Sequence, residues 1–328
     1  MKWIVILVIS VCVAFGAGYY IGNRAISSGI LSPLGMVTPK PLLKYTIENL
    51  SRRQYVPTQI ILDGATATTS AYTVYAFHYI SDGLKVTGVA HIPNDASPVN
   101  KKPVIVEYRG FIDPANYFSG DGTAHSAEVY AQNGFITLAP DFLGFGGSDK
   151  PSGDVFEERF QTYTTAVNLL VSVGSLSMVD ASRVGVWGHS NGGHIALTVS
   201  EIVAKPYPLV LWAPVSKPFP YSILYYTDDA DDHGKLLRKE LAAFEKLYDV
   251  ELFSLTNYLD RVQGPIQLHQ WTADNAVPLA WSDALASQLK GKGKDVTYYT
   301  YSGADHDMTG SWNTVVARDV AFYTKYLK

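Results

Sequence analysis

The sequence predicts a single α/β domain with a mostly parallel central sheet and helices on both of its faces. Short runs that are apolar on both faces, such as "PVIVEY" at 103–108 and "FITLAP" at 135–140, recur along the chain, and segments of helix length separate them. Strands of this kind lie inside a covered sheet, and alternation of strand and helix favours right-handed parallel crossovers. The chain has 328 residues, of which 47% are hydrophobic, so it can bury one large core.

An uncharged run, "WIVILVISVCVAFGAGYYIG" at 3–22, lies near the start of the sequence. As a helix it would span the roughly 30 Å hydrocarbon core of a bilayer. Lys2 precedes the run and Arg24 follows it, which fits a transmembrane signal-anchor over residues 1–22 or a cleaved signal peptide. We therefore expect a single-pass membrane protein whose folded domain is extracytoplasmic, or a secreted protein if the segment is cleaved.

Residues 23–70 are interpreted as a stalk and an N-terminal extension. Residues 23–42 mix Ser, Gly and Pro without a period, which is typical of a linker, and residues 42–54 could add a short helix. Strand-like alternation begins near residue 71. We therefore place the main domain at 71–328.

The main domain is predicted to open with an antiparallel hairpin, in which "YTVYAFHYIS" and "LKVTGVAHIP" flank a turn at Asp82-Gly83. Buried parallel strands are predicted for "VGVW" at 184–187, "LVLWAP" at 209–214 and "IQLHQW" at 266–271. Residues 216–262 interrupt this alternation with an amphipathic stretch, "DDHGKLLRKELAAFEKLYDV". We interpret them as a cap insertion over the C-terminal ends of the strands, where open α/β sheets bind ligands.

The composition excludes several classes of function. The formal net charge of −4 and the pI near 6.1 provide no basic excess for binding nucleic acid. The only cysteine, Cys12, lies in the apolar N-terminal run, which leaves no intrachain disulfide and no thiolate metal site. The histidines show no metal-ligand spacing, so we expect neither a metal nor a cofactor.

One sequence motif predicts a catalytic residue. The stretch "RVGVWGHSNGGHIALT" at 183–198 contains G-x-S-x-G as Gly188-His189-Ser190-Asn191-Gly192, with an apolar strand before it and a helix-like run after it. A serine on such a sharp strand-to-helix turn projects its Oγ above the sheet. This context predicts that Ser190 is a nucleophile, and the alternative is a serine that only forms the turn.

A serine nucleophile needs a histidine base, and the histidine needs an acid to fix its tautomer. Asp274 follows a predicted strand in "HQWTADNAVP", and His306 follows the last one in "VTYYTYSGADHDM". The order Ser, Asp, His is the one expected for a serine on such a turn. As alternatives, Asp274 would cap the next helix and His306 would be a solvated side chain. Asp305 and Asp307 flank His306, and such sequence neighbours are poor candidates for the orienting acid.

The oxyanion of a tetrahedral intermediate needs two hydrogen-bond donors. One is expected to be the backbone N–H of Asn191 at the start of the helix. The second should come from the loop in "EYRGFIDP", where the backbone N–H of Phe111 and the hydroxyl of Tyr108 are the two alternatives.

With these residues, the chain from about residue 70 to 328 resembles the α/β-hydrolase superfamily, and within it the catalytic domain of prolyl-oligopeptidase-type serine peptidases and related esterases. "LAPDFLGFGGS" is similar to the stretch after the fourth strand, with Leu143 where an arginine is usual. "YRGF" is similar to the family's Tyr-Gly-Gly-Phe, whose tyrosine donates to the oxyanion, with Arg109 in place of a glycine. "WTADNAVP" and "GADH" match the segments of the acid and the base, and the resemblance implies these roles for Asp274 and His306. The family's β-propeller has no counterpart in this sequence.

The sequence thus predicts a serine hydrolase of the α/β-hydrolase fold that cleaves an ester or amide bond through an acyl-enzyme. Ser190 would attack, His306 would move the proton and Asp274 would orient His306, with a small molecule or short peptide as substrate. The sequence favours a peptidase that resembles the prolyl oligopeptidases, and the alternatives are a carboxylesterase of the same fold and a catalytically silent surface-binding module.

Overall fold

A computed structural model describes residues 39–228 and 230–328. The predicted membrane segment at 1–22 and the first part of the predicted stalk lie outside these residues. Among the helices that the structure describes, none is long and apolar enough to cross a bilayer.

The centre of the domain is a sheet of nine strands in the order β1-β2-β3-β5-β4-β6-β7-β8-β9, counted over the described residues. The strands β1 to β3 and β5 pair in antiparallel fashion, and β5-β4-β6-β7-β8-β9 are parallel. The mostly parallel sheet predicted from the sequence is therefore confirmed. The strands are β1 Ile61–Thr68, β2 Tyr72–Ser81, β3 Leu84–Pro93, β4 Lys102–Tyr108, β5 Ile136–Pro140, β6 Val179–His189, β7 Leu209–Trp212, β8 Ile266–Trp271 and β9 Val296–Tyr301.

Helices cover the sheet on both faces, as the apolar character of the parallel strands requires. Leu169, Leu197 and Leu285 of α3, α4 and α7 pack in one core, whereas Tyr130 and Tyr323 of α2 and α8 pack in the other. The helices are α1 Ile47–Arg52, α2 Ala124–Gln132, α3 Val155–Ser172, α4 Asn191–Val203, α5 Tyr221–Leu224, α6 Lys235–Glu245, α7 Leu279–Gly291 and α8 Trp312–Leu327.

The predicted hairpin is formed by β2 and β3, and both strands begin and end where the sequence pattern predicts. Ser81 pairs with Leu84, which leaves Asp82 and Gly83 as the two-residue turn. Both turn residues have positive φ, 51° for Asp82 and 84° for Gly83. A turn of this kind matches the right-handed twist of the flanking strands, which explains why the Asp-Gly pair was a reliable signal.

The folded domain begins before residue 71, so the predicted boundary is wrong. Leu42 and Leu50 are buried in the main core, and β1 pairs with β2 along the edge of the sheet. The sequence pattern missed β1 because most of its residues are exposed and two register shifts interrupt its pairing. An exposed edge strand does not show the apolar alternation that identifies a half-buried strand.

The segment between β7 and β8 forms the predicted insertion. It contains α5, α6 and three short 3₁₀ turns, and α6 is the core of the predicted amphipathic helix. Phe244 of α6 packs against Phe156 of α3 with ring centroids 4.8 Å apart, and Phe253 stacks on Phe160 at the same centroid distance. These aromatic contacts fix the insertion on α3, whose N-terminus lies at the C-terminal edge of the sheet.

Candidate active site

Ser190 stands between β6 and α4 with φ 57° and ψ −120°. A non-glycine residue in such a conformation stores strain on the order of 1–3 kcal/mol, which the surroundings must compensate. The Ser190 N–H donates to the Trp212 carbonyl at 2.8 Å, and the Ser190 carbonyl accepts from the Val215 N–H at 3.0 Å. The end of β7 and the loop after it therefore hold the strained residue through both its N–H and its carbonyl.

The glycines around Ser190 are required by close packing. A β-carbon on Gly192 would overlap the Tyr108 carbonyl, and one on Gly188 would overlap the backbone of Gly192. A β-carbon on Gly193 would lie 2.6 Å from the β-carbon of Pro214. The glycines thus let α4 begin directly against β4 and β7, which places Ser190 at the edge of the sheet.

Asp274 and His306 meet at the same edge, on the loops after β8 and β9. Nδ1 of His306 lies 2.8 Å from Oδ2 of Asp274, and the His306 side chain is 22% exposed while that of Asp274 is buried. Oδ1 of Asp274 accepts the backbone N–H groups of Ala276 and Val277 at 2.9 and 2.8 Å. Asp274 is thus held rigidly with one oxygen directed at the imidazole.

The two aspartates beside His306 are exposed. Asp305 accepts the backbone N–H and the hydroxyl of Thr309 at 3.0 and 2.9 Å, and these bonds, the backbone one first, lower the pKa of its carboxyl. Asp305 thus stabilises the turn that carries His306, and the structure pairs the imidazole with Asp274.

His189 links the serine turn to His306. Its ring centroid lies 4.7 Å from that of His306, with an angle of 31° between the rings. Burial, followed by the nearby His306, lowers the pKa of His189 well below its usual value. A neutral ring therefore packs against His306 beneath the turn.

His194, the other histidine close to the motif, lies on the buried side of α4. Its Nδ1 donates to the Val215 carbonyl at 2.8 Å, and its Nε2 lies 2.9 Å from the Tyr163 hydroxyl. Burial, followed by the charge of Arg159, lowers the pKa of His194 to about 3. Both ring nitrogens of His194 therefore have hydrogen-bond partners. One bond connects α4 to the loop after β7, and the other connects α4 to α3.

The loop after β4 passes directly beside Ser190. A β-carbon built on Gly110 would lie 3.3 Å from the β-carbon of Ser190. Among the described residues, the backbone N–H groups of Asn191 and Phe111 have no hydrogen-bond acceptor. Two unpaired amides next to a serine are the donors that an oxyanion requires.

The Tyr108 hydroxyl is not part of this arrangement. It donates to the Ala166 carbonyl of α3 at 3.1 Å and is completely buried, which raises the pKa of Tyr108 well above its usual value. Successive side chains of a strand point to opposite faces, and Tyr108 points into the core beneath α3. The structure therefore differs from the expectation for Tyr108 and leaves the Phe111 amide as the second candidate donor.

An aromatic surface beside the Asp274 loop was not recognised in the sequence. The Tyr226 hydroxyl donates to the Ala276 carbonyl at 3.1 Å, and Trp281 meets Tyr225 with ring centroids 4.7 Å apart. Tyr221 and Tyr225 are 47% and 39% exposed. The signal was the tyrosine-rich stretch "PYSILYY" in the insertion, which places aromatic rings beside the loop that carries Asp274.

No group of three or more His, Cys, Asp or Glu side chains among the described residues is arranged to hold a metal ion.

Comparison with known proteins identifies a family. The family model described as prolyl oligopeptidase family matches residues 122–328, which include Ser190, Asp274 and His306.

Solved structures of similar fold come from esterases and peptidases. Acetyl xylan esterase from Paenibacillus sp. R4 is 20% identical with a TM-score of 0.65, covering 85% of this chain and 93% of its own. Acetyl Xylan Esterase 1 from Thermoanaerobacterium sp. JW/SL YS485 is 18% identical with a TM-score of 0.63, covering 87% of this chain and 94% of its own. A putative dipeptidyl aminopeptidase IV from Bacteroides ovatus ATCC 8483 is 18% identical with a TM-score of 0.61, covering 78% of this chain but only 36% of its own. At these identities the similarity establishes the fold.

Proposed function

This chain belongs to the prolyl oligopeptidase family and is a serine hydrolase of the α/β-hydrolase fold, and we propose that Ser190, His306 and Asp274 are its catalytic triad. The observation that carries the proposal is the contact of 2.8 Å between His306 Nδ1 and Asp274 Oδ2 at the sheet edge where Ser190 is held with φ 57°. An acid, a base and a strained serine at one edge form the arrangement that acyl transfer requires.

The chemistry follows from these positions. Asp274 accepts the Nδ1–H of His306, so Nε2 is left unprotonated and takes the proton of Ser190 as Oγ forms a bond with the carbonyl carbon. The negative oxygen of the tetrahedral intermediate accepts the N–H groups of Asn191 and Phe111. When the bond to the leaving group breaks, Nε2 of His306 returns the proton to that group. Water then repeats these steps on the acyl-enzyme and releases the acid.

We propose esters of short acyl groups as the substrate class. The chain spans more than nine-tenths of each of the two acetyl xylan esterases, whereas it spans only 36% of the dipeptidyl aminopeptidase. The match to the peptidase is thus confined to about a third of its length. Peptidase activity on short peptides is the second candidate, and the match to the peptidase family model favours it.

A parallel kinetic screen distinguishes the two candidates. The described domain, expressed from residue 39 onward, would be assayed with aryl esters of increasing acyl length and with aminoacyl anilides, with Ser190→Ala as the matched control. We expect the highest kcat/KM for acetyl and propionyl esters. A higher kcat/KM for an aminoacyl anilide would assign the enzyme to the peptidases.

We further propose that residues 1–22 anchor the enzyme in a membrane, with the hydrolase domain on the extracytoplasmic side. The support is the uncharged run at 3–22, which is long enough to span a bilayer. The full-length protein should then need detergent for extraction, and external protease should release an active soluble domain. A mature N-terminus near Ala17 would instead identify a cleaved signal peptide and a secreted enzyme.

A further inference from the structure

Arg109 is a buried cation next to Ser190 that the proposed mechanism does not use. It follows Tyr108 at the end of β4, and only 5% of its surface is exposed. Its Nη1 donates to the Gly110 carbonyl at 3.0 Å, and its Nη2 donates to the Asp141 carbonyl at 3.1 Å. The guanidinium therefore connects the loop after β4 with the loop after β5.

Aromatic rings and a buried carboxylate hold the guanidinium in this place. The Arg109 guanidinium carbon lies 4.3 Å from the ring centroid of Tyr117 and 4.1 Å from that of Phe145. The Tyr117 hydroxyl donates to Oδ1 of Asp141 at 2.6 Å, and Oδ2 of Asp141 accepts the hydroxyl of Ser119 at 2.8 Å. The planar guanidinium suits this position because it donates in two directions while its faces stack on rings.

The contact with Gly110 bears directly on the candidate oxyanion donor. The Gly110 carbonyl and the Phe111 N–H belong to one peptide group, which is planar and trans, so they point in opposite directions. Fixing the carbonyl on Arg109 therefore fixes the direction of the N–H beside Ser190. A cation bonded to the carbonyl also polarises the amide, which makes its N–H a stronger donor.

We propose that Arg109 is a positioning residue that locks the Gly110–Phe111 peptide with its N–H directed at the oxyanion. This inference rests on the proposed function of Ser190 and deepens it, because it assigns the element that organises the second oxyanion donor. Arg109 stays away from the reacting atoms and acts only through the peptide that it holds.

The test compares Arg109→Lys and Arg109→Met with Tyr79→Phe as the matched control. Tyr79 is also buried, and its hydroxyl donates to the backbone carbonyl of Thr165 in α3 at 3.0 Å and not to the loop after β4. For each protein, active sites would be counted by titration with a fluorophosphonate, and kcat and KM for an aryl acetate would be expressed per active site. Thermal unfolding would be measured alongside.

We expect kcat per active site to fall about 100-fold in Arg109→Met and less in Arg109→Lys, with KM within about threefold of wild type, because a donor displaced by about 1 Å costs about this factor. Lysine keeps the charge and one bond to a carbonyl. Tyr79→Phe should lower the melting temperature and leave kcat per active site unchanged. A purely structural role for Arg109 would reduce only the number of active sites, and an unchanged kcat per site would overturn the inference.

One further variant and one result for the wild type distinguish a failure of this inference from a failure of the proposed function. If neither Arg109 variant folds, Phe145→Leu removes one ring from the guanidinium, and the inference then requires a fall in kcat per site of a few fold at unchanged KM. An unchanged kcat in that variant would overturn it. Failure of the wild type to react at Ser190 would instead overturn the proposed function itself.

Discussion

The side chains of Asp274 and His306 lie 2.8 Å apart although 32 positions separate them in the chain. The sheet explains this contact, because β8 and β9 are parallel neighbours whose ends, Trp271 and Tyr301, stand opposite each other in the register. Each of the two residues lies a few positions beyond its strand. The loops that leave adjacent parallel strands emerge at the same edge, and this places the acid beside the base.

Asp274→Asn should lower kcat/KM roughly 10⁴-fold, because the amide can hold His306 in the wrong tautomer and cannot stabilise its cation. Ser190→Ala and His306→Ala should cost more, on the order of 10⁶-fold, since the triad acts as a unit. Steady-state kinetics on an aryl acetate check these values. Asp305→Asn is the matched control and should stay within about twofold of wild type. Full activity in Asp274→Asn together with a large loss in Asp305→Asn would show that the acid is misassigned.

Tyr108→Phe should leave kcat within about threefold of wild type. Its hydroxyl donates to the Ala166 carbonyl at 3.1 Å, so its removal costs the fold about 1 kcal/mol and leaves the oxyanion donors in place. Kinetics and thermal unfolding of the same preparation separate the two effects. A fall in kcat of roughly 10²- to 10³-fold would mean that the tyrosine hydroxyl reaches the oxyanion during turnover.

Glu107→Gln should weaken the dependence of stability on pH between pH 4.5 and about pH 8. Burial, opposed by the hydrogen bond from Ser126, raises the pKa of Glu107 from 4.5 to about 8. Between these two pH values the folded state keeps a proton that the unfolded state has lost, so the free energy of unfolding falls as the pH rises. Such a shift corresponds to several kcal/mol, on the order of 1.4 kcal/mol per pH unit.

Urea unfolding of the wild type and Glu107→Gln at pH 5 and pH 9 measures this effect, with Glu128→Gln as an exposed control. The loss of stability between the two pH values should be clearly smaller in Glu107→Gln and unchanged in Glu128→Gln. Equal losses in all three proteins would show that Glu107 is ionised at neutral pH.

Much of the sheet could be predicted because strands buried on both faces leave continuous apolar runs, and the candidate triad was chosen from residues at the ends of these runs. The ends of these runs locate Ser190, Asp274 and His306 before any coordinates are known. The edge strand β1 could not be predicted in this way, because most of its side chains are exposed and two register shifts break its period.

The choice between Tyr108 and the Phe111 amide could not be made from the sequence. It depends on which face of β4 the last side chain of the strand points to, and the apolar run "PVIVEY" carries no alternation that would fix this. The contact between Arg109 and Asp141 could not be predicted from the sequence either. Asp141 follows β5, a strand that comes next to β4 only through the order of strands in the sheet.

The most direct test of the central claim is to locate the covalent intermediate. The wild type would be reacted with a fluorophosphonate and, separately, quenched rapidly during turnover of an aryl acetate, and both samples would be digested and analysed by mass spectrometry. We expect one modified residue per chain, Ser190 in both samples, and neither modification nor turnover in Ser190→Ala. Modification of another residue, or hydrolysis that persists in Ser190→Ala after contaminating enzymes are excluded, would contradict the central claim.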